Sequence, residues 1–203
     1  MTRHPASRSR RRALRTLAQS AALTPLVAAW PPLAGAQTLP ATPSCGANDP
    51  PTASQTEGPF YKRSTPQRSS LIEPGVTGDR LVITGFVLTT DCKPVPGAVL
   101  DFWQADAKGQ YDNDGFRLRG HVLADAQGRY RVETIIPGAY PGRTRHIHVK
   151  VQPPGGRVLT TQLYFPDEPG NQRDGIYSPA LQMALTRGAE AAQGSFNFVL
   201  RRA

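Results

Sequence analysis

The stretch RLVITGFVLTTDCKPVPGAVLDFWQAD, residues 80–106, decides the fold. Two runs rich in β-branched and aromatic residues, 80–88 and 98–106, flank the turn sequence DCKPVPG, which predicts two β-strands and a tight connection. Similar strand-like segments follow at short spacing, with turns rich in glycine and proline between them, at 119–125, 129–136, 146–152, 158–165 and 195–202. Only 180–191 has a pattern that could make a helical turn or two.

This series of short strands without helical crossovers predicts an all-β fold, an antiparallel β-sandwich of about seven or more strands with irregular loops. The 20 prolines and 19 glycines of the 203-residue chain agree with many turns. Residues 37–78 are rich in Pro, Ser, Thr and Gly, and we interpret them as an irregular wrapping segment. Residues 79–203 form the predicted sandwich domain.

Residues 1–36 have a basic start, an apolar middle and a small-residue end at 34–36, which is the plan of an export signal. The run SRRRALR, 9–15, is typical of the twin-arginine pattern, so we expect the twin-arginine export machinery as a partner and a periplasmic or extracellular location. Cleavage is expected after Ala36. An ordinary secretory signal or a disordered basic arm remains the alternative for this segment.

The basic charge of the chain lies mostly in this leader. The net charge is +9, and removing the six arginines of residues 1–36 leaves +3 on the rest. The sequence shows no basic stripe interleaved with aromatic residues, and we therefore expect no nucleic-acid partner.

Both cysteines, Cys45 and Cys92, lie in the part that would be exported. An oxidising compartment permits a disulfide between them, which would tie the wrapping segment to a turn of the sandwich. Two buried free thiols are the alternative.

The segment HIHVKV, 146–151, places two histidines two residues apart. Side chains alternate across a strand, so His146 and His148 share one face and could converge on one ion. Tyr140 and Tyr111 lie in Gly-containing loops near predicted strands, and their phenolate oxygens suit a hard cation. Two phenolates with two imidazoles favour Fe(III) over Zn(II). An isolated pair of surface histidines would be the simpler explanation of the HxH pattern alone.

Four segments in order give the chain a family resemblance: TEGPFY (56–61), PVPGAVLDFWQADAKGQYDN (94–113), IPGAYPGRTRHIHVKV (136–151) and TQLYFPDEP (161–169). The chain resembles the intradiol ring-cleavage dioxygenases, the group of protocatechuate 3,4-dioxygenase and catechol 1,2-dioxygenase. The resemblance implies a non-haem Fe(III) cofactor. By motif, its ligands fall on Tyr111, Tyr140, His146 and His148.

The same resemblance implies roles for other residues. Tyr140, Arg143 and Gln162 fall on the catalytic positions, and Tyr61 and Arg143 fall on substrate-binding positions. The implied reaction cleaves a catechol-type substrate with O2 between its two hydroxyls and yields a muconate-type diacid, which makes residues 79–203 the catalytic domain. We expect packing roles for Trp103 and Tyr164, and a structural role for His121.

Three questions stay open from the sequence. The stretch from Gly85 to Tyr140 also resembles transthyretin-like sandwiches, so a secreted binding module without catalysis is the alternative function. Arg145 stands where the family more often has a small residue, which leaves the ring substituents of the substrate undetermined. Exposed strand edges would also make a homodimer a candidate assembly.

Overall fold

The computed structural model describes Cys45 and residues 50–201. The predicted export signal lies outside these residues. The described part contains two single 3₁₀ turns, Asn171–Arg173 and Pro179–Leu181. Its nine strands, in chain order β1 to β9, are Arg80–Thr89, Val99–Trp103, Arg119–Leu123, Arg129–Ile135, His146–Gln152, Leu159–Tyr164, Ala184–Thr186, Ala192–Ser195 and Phe198–Leu200.

The strands form two sheets, and the predicted β-sandwich is confirmed. One sheet has the order β4-β1-β8-β7, with β9 also paired to β1, and the other has the order β3-β2-β5-β6. Most pairs are antiparallel, but β1 pairs in parallel with β8 and with β9. The segment 180–191 holds strand β7 and part of a 3₁₀ turn.

The predicted strand 195–202 contains the last residue of β8 and all of β9, and Gly85 explains the break between them. A Cβ on Gly85 would lie only 1.8 Å from the carbonyl oxygen of Phe196, so the missing side chain lets the two backbones approach. The amide of Phe196 donates to Thr84 O at 3.0 Å, and the Asn197 side chain accepts from the Phe86 amide at 2.9 Å. Strand β1 therefore changes partner from β8 to β9 at this point.

The core lies between the inner faces of the sheets and follows the alternation of the strands. In β5, Ile147, Val149 and Val151 point inward and are fully buried, and in β1 the same is true of Leu81 and Ile83. The opposite face of β5 carries the histidines. The inner faces of the sheets thus form the hydrophobic core. The outer face of the second sheet carries His146 and His148.

The wrapping segment covers strand edges in both sheets. Its backbone bonds to β9 through Thr52 N and Val199 O, to β6 through Gln55 N and Thr160 O, and it continues to β3 and β4 at Arg68 and Leu71. These contacts pair edges that would otherwise be open to another chain. The wrapping segment therefore occupies the edges of β9, β6, β3 and β4 that a second chain could otherwise pair with, and the homodimer itself stays a prediction. No helix within the described ranges is long and apolar enough to cross a membrane.

Cys45 and Cys92 form a disulfide that ties the N-terminal part of the wrapping segment to the turn after β1, with Cα atoms 5.6 Å apart and a separation of 47 positions in sequence. Closing a loop of this length removes entropy from the unfolded chain. We expect the double variant Cys45→Ser/Cys92→Ser to lose about 2–5 kcal/mol of unfolding free energy. Urea unfolding of the variant and the parent measures it, and equal transition midpoints would contradict the expectation.

Candidate metal centre

The site lies on the outer face of the second sheet, where the strand register aligns four side chains in one row. Trp103 of β2 pairs with Arg119 of β3 on one side and with His148 of β5 on the other, and His148 pairs with Gln162 of β6. Residues directly opposite each other in neighbouring strands project to the same face. The wrapping segment covers this face, since a Cβ on Gly58 would come 3.4 Å from His148 Cε1.

The structure brings the four predicted metal ligands together. Tyr140 Oη lies 3.3 Å from His146 Nε2, which in turn lies 3.2 Å from His148 Nε2. The ring of Tyr111 is 5.9 Å from that of Tyr140 and 6.2 Å from that of His148, measured between centroids. Two imidazoles and two phenols therefore surround one small volume.

His146 presents a ring nitrogen to this volume in a form that can bind a cation, and His148 Nε2 faces the same volume. His146 Nδ1 lies 2.7 Å from the carbonyl oxygen of Thr144, so this nitrogen carries the proton and Nε2 keeps its lone pair. Burial and the charge of Arg143 lower the pKa of His146 to about 4. Burial, His146 and Arg143 hold the pKa of His148 well below its usual range. Neutral imidazoles facing each other suit a shared cation.

Tyr111 supplies the observation that tests the fit of a metal. Its hydroxyl is buried and has no hydrogen-bond partner, an arrangement that costs about 1–3 kcal/mol when nothing compensates it. Burial, and then the neighbouring Tyr140, raise the pKa of Tyr111, whereas a bound cation would favour its phenolate. Within residues 50–201, no three His, Cys, Asp or Glu side chains cluster to hold a metal. A metal at the two histidines would need the tyrosines, and the donor set fits Fe(III).

Two glycines explain how the tyrosine loops come together. A Cβ on Gly109, which has φ +80°, would lie 2.4 Å from Ala139 O, and a Cβ on Gly138 would lie 2.5 Å from Gly109 N. Only glycine allows such close backbone packing, and the positive φ at Gly109 favours it further. The loop before Tyr111 and the loop before Tyr140 therefore touch through their backbones, which places both phenols beside the histidines.

Arg143 is held beside the donors by a network that joins three segments. Its Nε donates to the carboxylate of Asp174 at 2.9 Å, and its Nη2 donates to Gln162 Oε1 and to Tyr164 Oη. Gln162 also donates to Thr56 O in the wrapping segment at 3.0 Å. Tyr164, expected to pack only, is fully buried and also donates to Gln162 Oε1 at 3.1 Å. The guanidinium is thus fixed as a positive charge near the metal centre.

Asp174 gives this network a predictable pH dependence. Burial alone would raise the pKa of Asp174, but the backbone amides of Thr144 and Ile176 and the Arg143 guanidinium outweigh it and hold the pKa below its usual range. A depressed carboxyl pKa adds stability above about pH 4, the unfolded value, and that stability is lost as the pH falls through the folded value. We expect Asp174→Asn to have a lower melting temperature than the parent at pH 6, with the difference shrinking below pH 4. A difference independent of pH would contradict this.

Two of the sequence-selected residues lie apart from the donors. The Tyr61 hydroxyl is 3.1 Å from Asp101 Oδ2, and its ring contacts Trp103, which stacks on His148. Its substrate-binding role stays a prediction. His121 bonds to Thr65 in the wrapping segment. Sequence reasoning missed three residues, Thr144, Asp174 and the buried Arg119; of these, only Thr144 had a local signal, its position two residues before His146.

A known protein family matches most of the chain. A family model described as Dioxygenase matches residues 56–202. The chain belongs to this dioxygenase family. All four candidate metal ligands, the row on the second sheet and most of the wrapping segment lie within the matched residues.

Known proteins similar to this chain carry names of the intradiol reaction class. It is 32% identical over 155 residues to catechol 1,2-dioxygenase of Candida albicans, covering 63% of this chain and 51% of that one. It is 37% identical over 128 residues to the protocatechuate 3,4-dioxygenase beta chain of Burkholderia cepacia, covering 54% of each. The chain thus spans about half the length of these curated relatives.

A solved structure covers more of the chain. It is the dioxygenase domain of a dioxygenase and carbohydrate-binding protein fusion from the cellulolytic bacterium Streptomyces sp. SirexAA-E. The chain is 50% identical to that domain with a TM-score of 0.74, and the match covers 76% of this chain and 100% of that one.

Proposed function

We propose that the protein is a non-haem Fe(III) intradiol dioxygenase that cleaves a catechol-type ring between its two hydroxyls with O2 and yields a muconate-type diacid. The observation that carries the proposal is the meeting of two phenols and two neutral imidazoles at one point. Tyr140 Oη lies 3.3 Å from His146 Nε2, and His146 Nε2 lies 3.2 Å from His148 Nε2. A binding module without catalysis would have no need of this donor set, whose buried Tyr111 hydroxyl is unpaired.

Tyr111, Tyr140, His146 and His148 would hold the Fe(III) ion. When bound, Fe(III) would draw electron density from a chelated catecholate and make a ring carbon reactive toward O2. The protein prepares the ligands for this role. Thr144 O fixes the tautomer of His146, and burial keeps His148 uncharged.

Tyr140 is suited to move a proton. It is half-buried, it lies in the loop Pro137–Gly142, and its hydroxyl already contacts His146 Nε2. As in the family, Tyr140 Oη would accept a proton from a catechol hydroxyl as the substrate arrives. A tyrosine on a loop can change position more easily than one on a strand. Tyr111 also lies in a loop, but Phe60 stacks on its ring and its hydroxyl is buried.

Arg143 and Gln162 would orient the ring and stabilise negative charge that develops on it. Their mutual hydrogen bond and the Asp174 carboxylate fix the guanidinium before the substrate binds. Such preorganised charge acts where water is excluded, and it needs no rearrangement during the reaction. The segment from Thr56 to Gly58 closes over this region and limits the access of water.

The substrate class follows from the relatives rather than from a visible selectivity pocket. Named relatives act on catechol, protocatechuate, chlorocatechol and hydroxyquinol. We infer a 1,2-dihydroxybenzene core, with the ring substituent to be found by assay. Arg145, next to the first histidine, is half-buried and pairs with Glu168 at 3.4 Å.

The visible spectrum of the purified, iron-loaded protein tests the proposal. We expect a broad phenolate-to-Fe(III) charge-transfer band that shifts when catechol is added without O2. In air, the ultraviolet absorption of a muconate product should grow while an oxygen electrode records one O2 consumed per catechol. A protein that stays colourless after ferric loading would contradict the iron assignment. A coloured protein inactive on catechol, protocatechuate, chlorocatechol and hydroxyquinol would contradict the substrate class.

We also infer that the protein is exported through the twin-arginine machinery. The run at Arg10–Arg12 supports this inference, and so does the disulfide, because disulfides persist in oxidising compartments. Cell fractionation of the parent and of an Arg10→Lys/Arg11→Lys variant tests it, because Arg10 and Arg11 are the arginine pair of the pattern. The parent should be found outside the cytoplasm and the variant inside, and equal distributions would contradict the inference.

A further inference from the structure

Arg119 is a buried cation in the same row as His148. It begins β3, its side chain is 0% exposed, and it is among the largest fully buried side chains of the protein. None of the ion pairs formed within the described residues includes it. A buried guanidinium without a carboxylate partner is costly, so its presence needs an explanation.

The guanidinium bonds to two segments of the site through their backbone. Its Nη1 donates to Phe60 O at 2.6 Å, and its Nε and Nη2 donate to Asp112 O at 3.0 and 2.8 Å. Asp112 directly follows Tyr111, and Phe60 stacks on the Tyr111 ring with centroids 4.4 Å apart. One side chain therefore connects the loop that carries Tyr111 to the wrapping segment that covers it.

The guanidinium also lies over the Tyr111 ring, with its central carbon 5.8 Å from the ring centroid. The carboxylate of Asp112 is turned to the amides of its own loop, at Asp114, Gly115 and Arg117. A second cation, Lys62, donates to the carbonyls of residues 113–115 and holds the far side of the same loop. A phenolate at Tyr111 would add its negative charge to those of the Asp112 and Asp101 carboxylates, which act on the same guanidinium.

We propose that Arg119 is a positioning residue for the metal ligand Tyr111: it fixes the loop after Tyr111 and supplies the positive charge that its phenolate faces. This inference rests on the proposed function, since it needs Tyr111 to bind Fe(III). An arginine suits the role because its planar fork reaches two carbonyls at once and always keeps its charge. A neutral donor could bond the same carbonyls but would give the phenolate no counter-charge.

The test isolates the Tyr111 signal. In a Tyr140→Phe background, Tyr111 is the remaining phenolate ligand, so the charge-transfer band of the ferric protein reports on it alone. Into this background we would place Arg119→Gln and Arg119→Lys, with Arg117→Gln as the control, because Arg117 is exposed and lies two residues away. The readouts are the band maximum, iron affinity by chelator competition, and the melting temperature.

Loss of the positive charge raises the energy of the phenolate electrons, so Arg119→Gln should move the band to longer wavelength. We also expect Arg119→Gln to weaken iron binding by about 10–100-fold, the effect of removing a residue that orients a metal ligand. Arg119→Lys, which keeps the charge but not the fork, should lie between Arg119→Gln and the background. Arg117→Gln should match the background.

The other outcomes separate the two proposals. A band and an iron affinity that stay at background values while only the melting temperature falls would overturn the positioning role and leave Arg119 purely structural. Failure of both Arg119 variants to fold would overturn it in the same way. A parent protein that is colourless after ferric loading would reject the proposed function itself, and the inference with it.

Discussion

The His148→Ala variant is expected to lose its iron and, with it, its activity. His148 lies at the centre of the row on the second sheet, is 1% exposed, and has its Nε2 3.2 Å from that of His146. Its removal leaves three donors and a space beside them. Iron affinity should therefore fall by more than the roughly 10–100-fold lost when a residue that only hydrogen-bonds to a metal ligand is removed. Iron per chain after dialysis against a chelator, together with the charge-transfer band, measures the effect.

His121→Ala is the matched control for this variant. His121 lies on the same sheet, in β3, but its ring bonds to Thr65. The hydroxyl of Thr65 in turn donates to the Asp101 carboxylate. This control should keep full iron occupancy and colour. Full iron occupancy in His148→Ala would remove His148 from the ligand set, and equal iron loss in both variants would point to unfolding rather than to ligation.

The strands could be predicted because their pattern is local. The alternation of Ile147, Val149 and Val151 has a period of two and predicts a strand over 146–152, and β5 has these bounds. The break between β8 and β9 could not be predicted, since it depends on Gly85, more than a hundred residues earlier in the chain. The parallel pairing of β1 with both strands depends on the same distant contact.

The same distinction holds in the site. The four candidate ligands stand out in the sequence because unusual residue types lie in short segments framed by glycine and proline. Arg119 and Asp174 do not stand out, because their partners Phe60 and Arg143 are 59 and 31 residues away. A sequence shows which side chains can bind a metal, whereas the groups that hold those side chains are chosen by the packing of distant segments.

Arg143→Ala is expected to keep iron but lose turnover. Its guanidinium does not belong to the donor set, yet its charge lowers the pKa of both histidines, which places it within electrostatic reach of the bound substrate. Loss of one preorganised charge of this kind costs about 10²–10³-fold in kcat. Steady-state rates with the best catechol substrate, normalised to bound iron, measure the loss.

Two further variants make this result specific. Arg145→Ala removes a neighbouring arginine whose side chain is 41% exposed and paired with Glu168, and it should leave kcat within about 2-fold of the parent, as exposed pairs contribute little. Arg143→Ala also leaves the Asp174 carboxylate buried without its cation, so the double variant Arg143→Ala/Asp174→Asn should regain stability but not kcat. Recovery of kcat in the double variant would show that Arg143 acts only by neutralising Asp174, and an unchanged rate in Arg143→Ala would remove its catalytic role altogether.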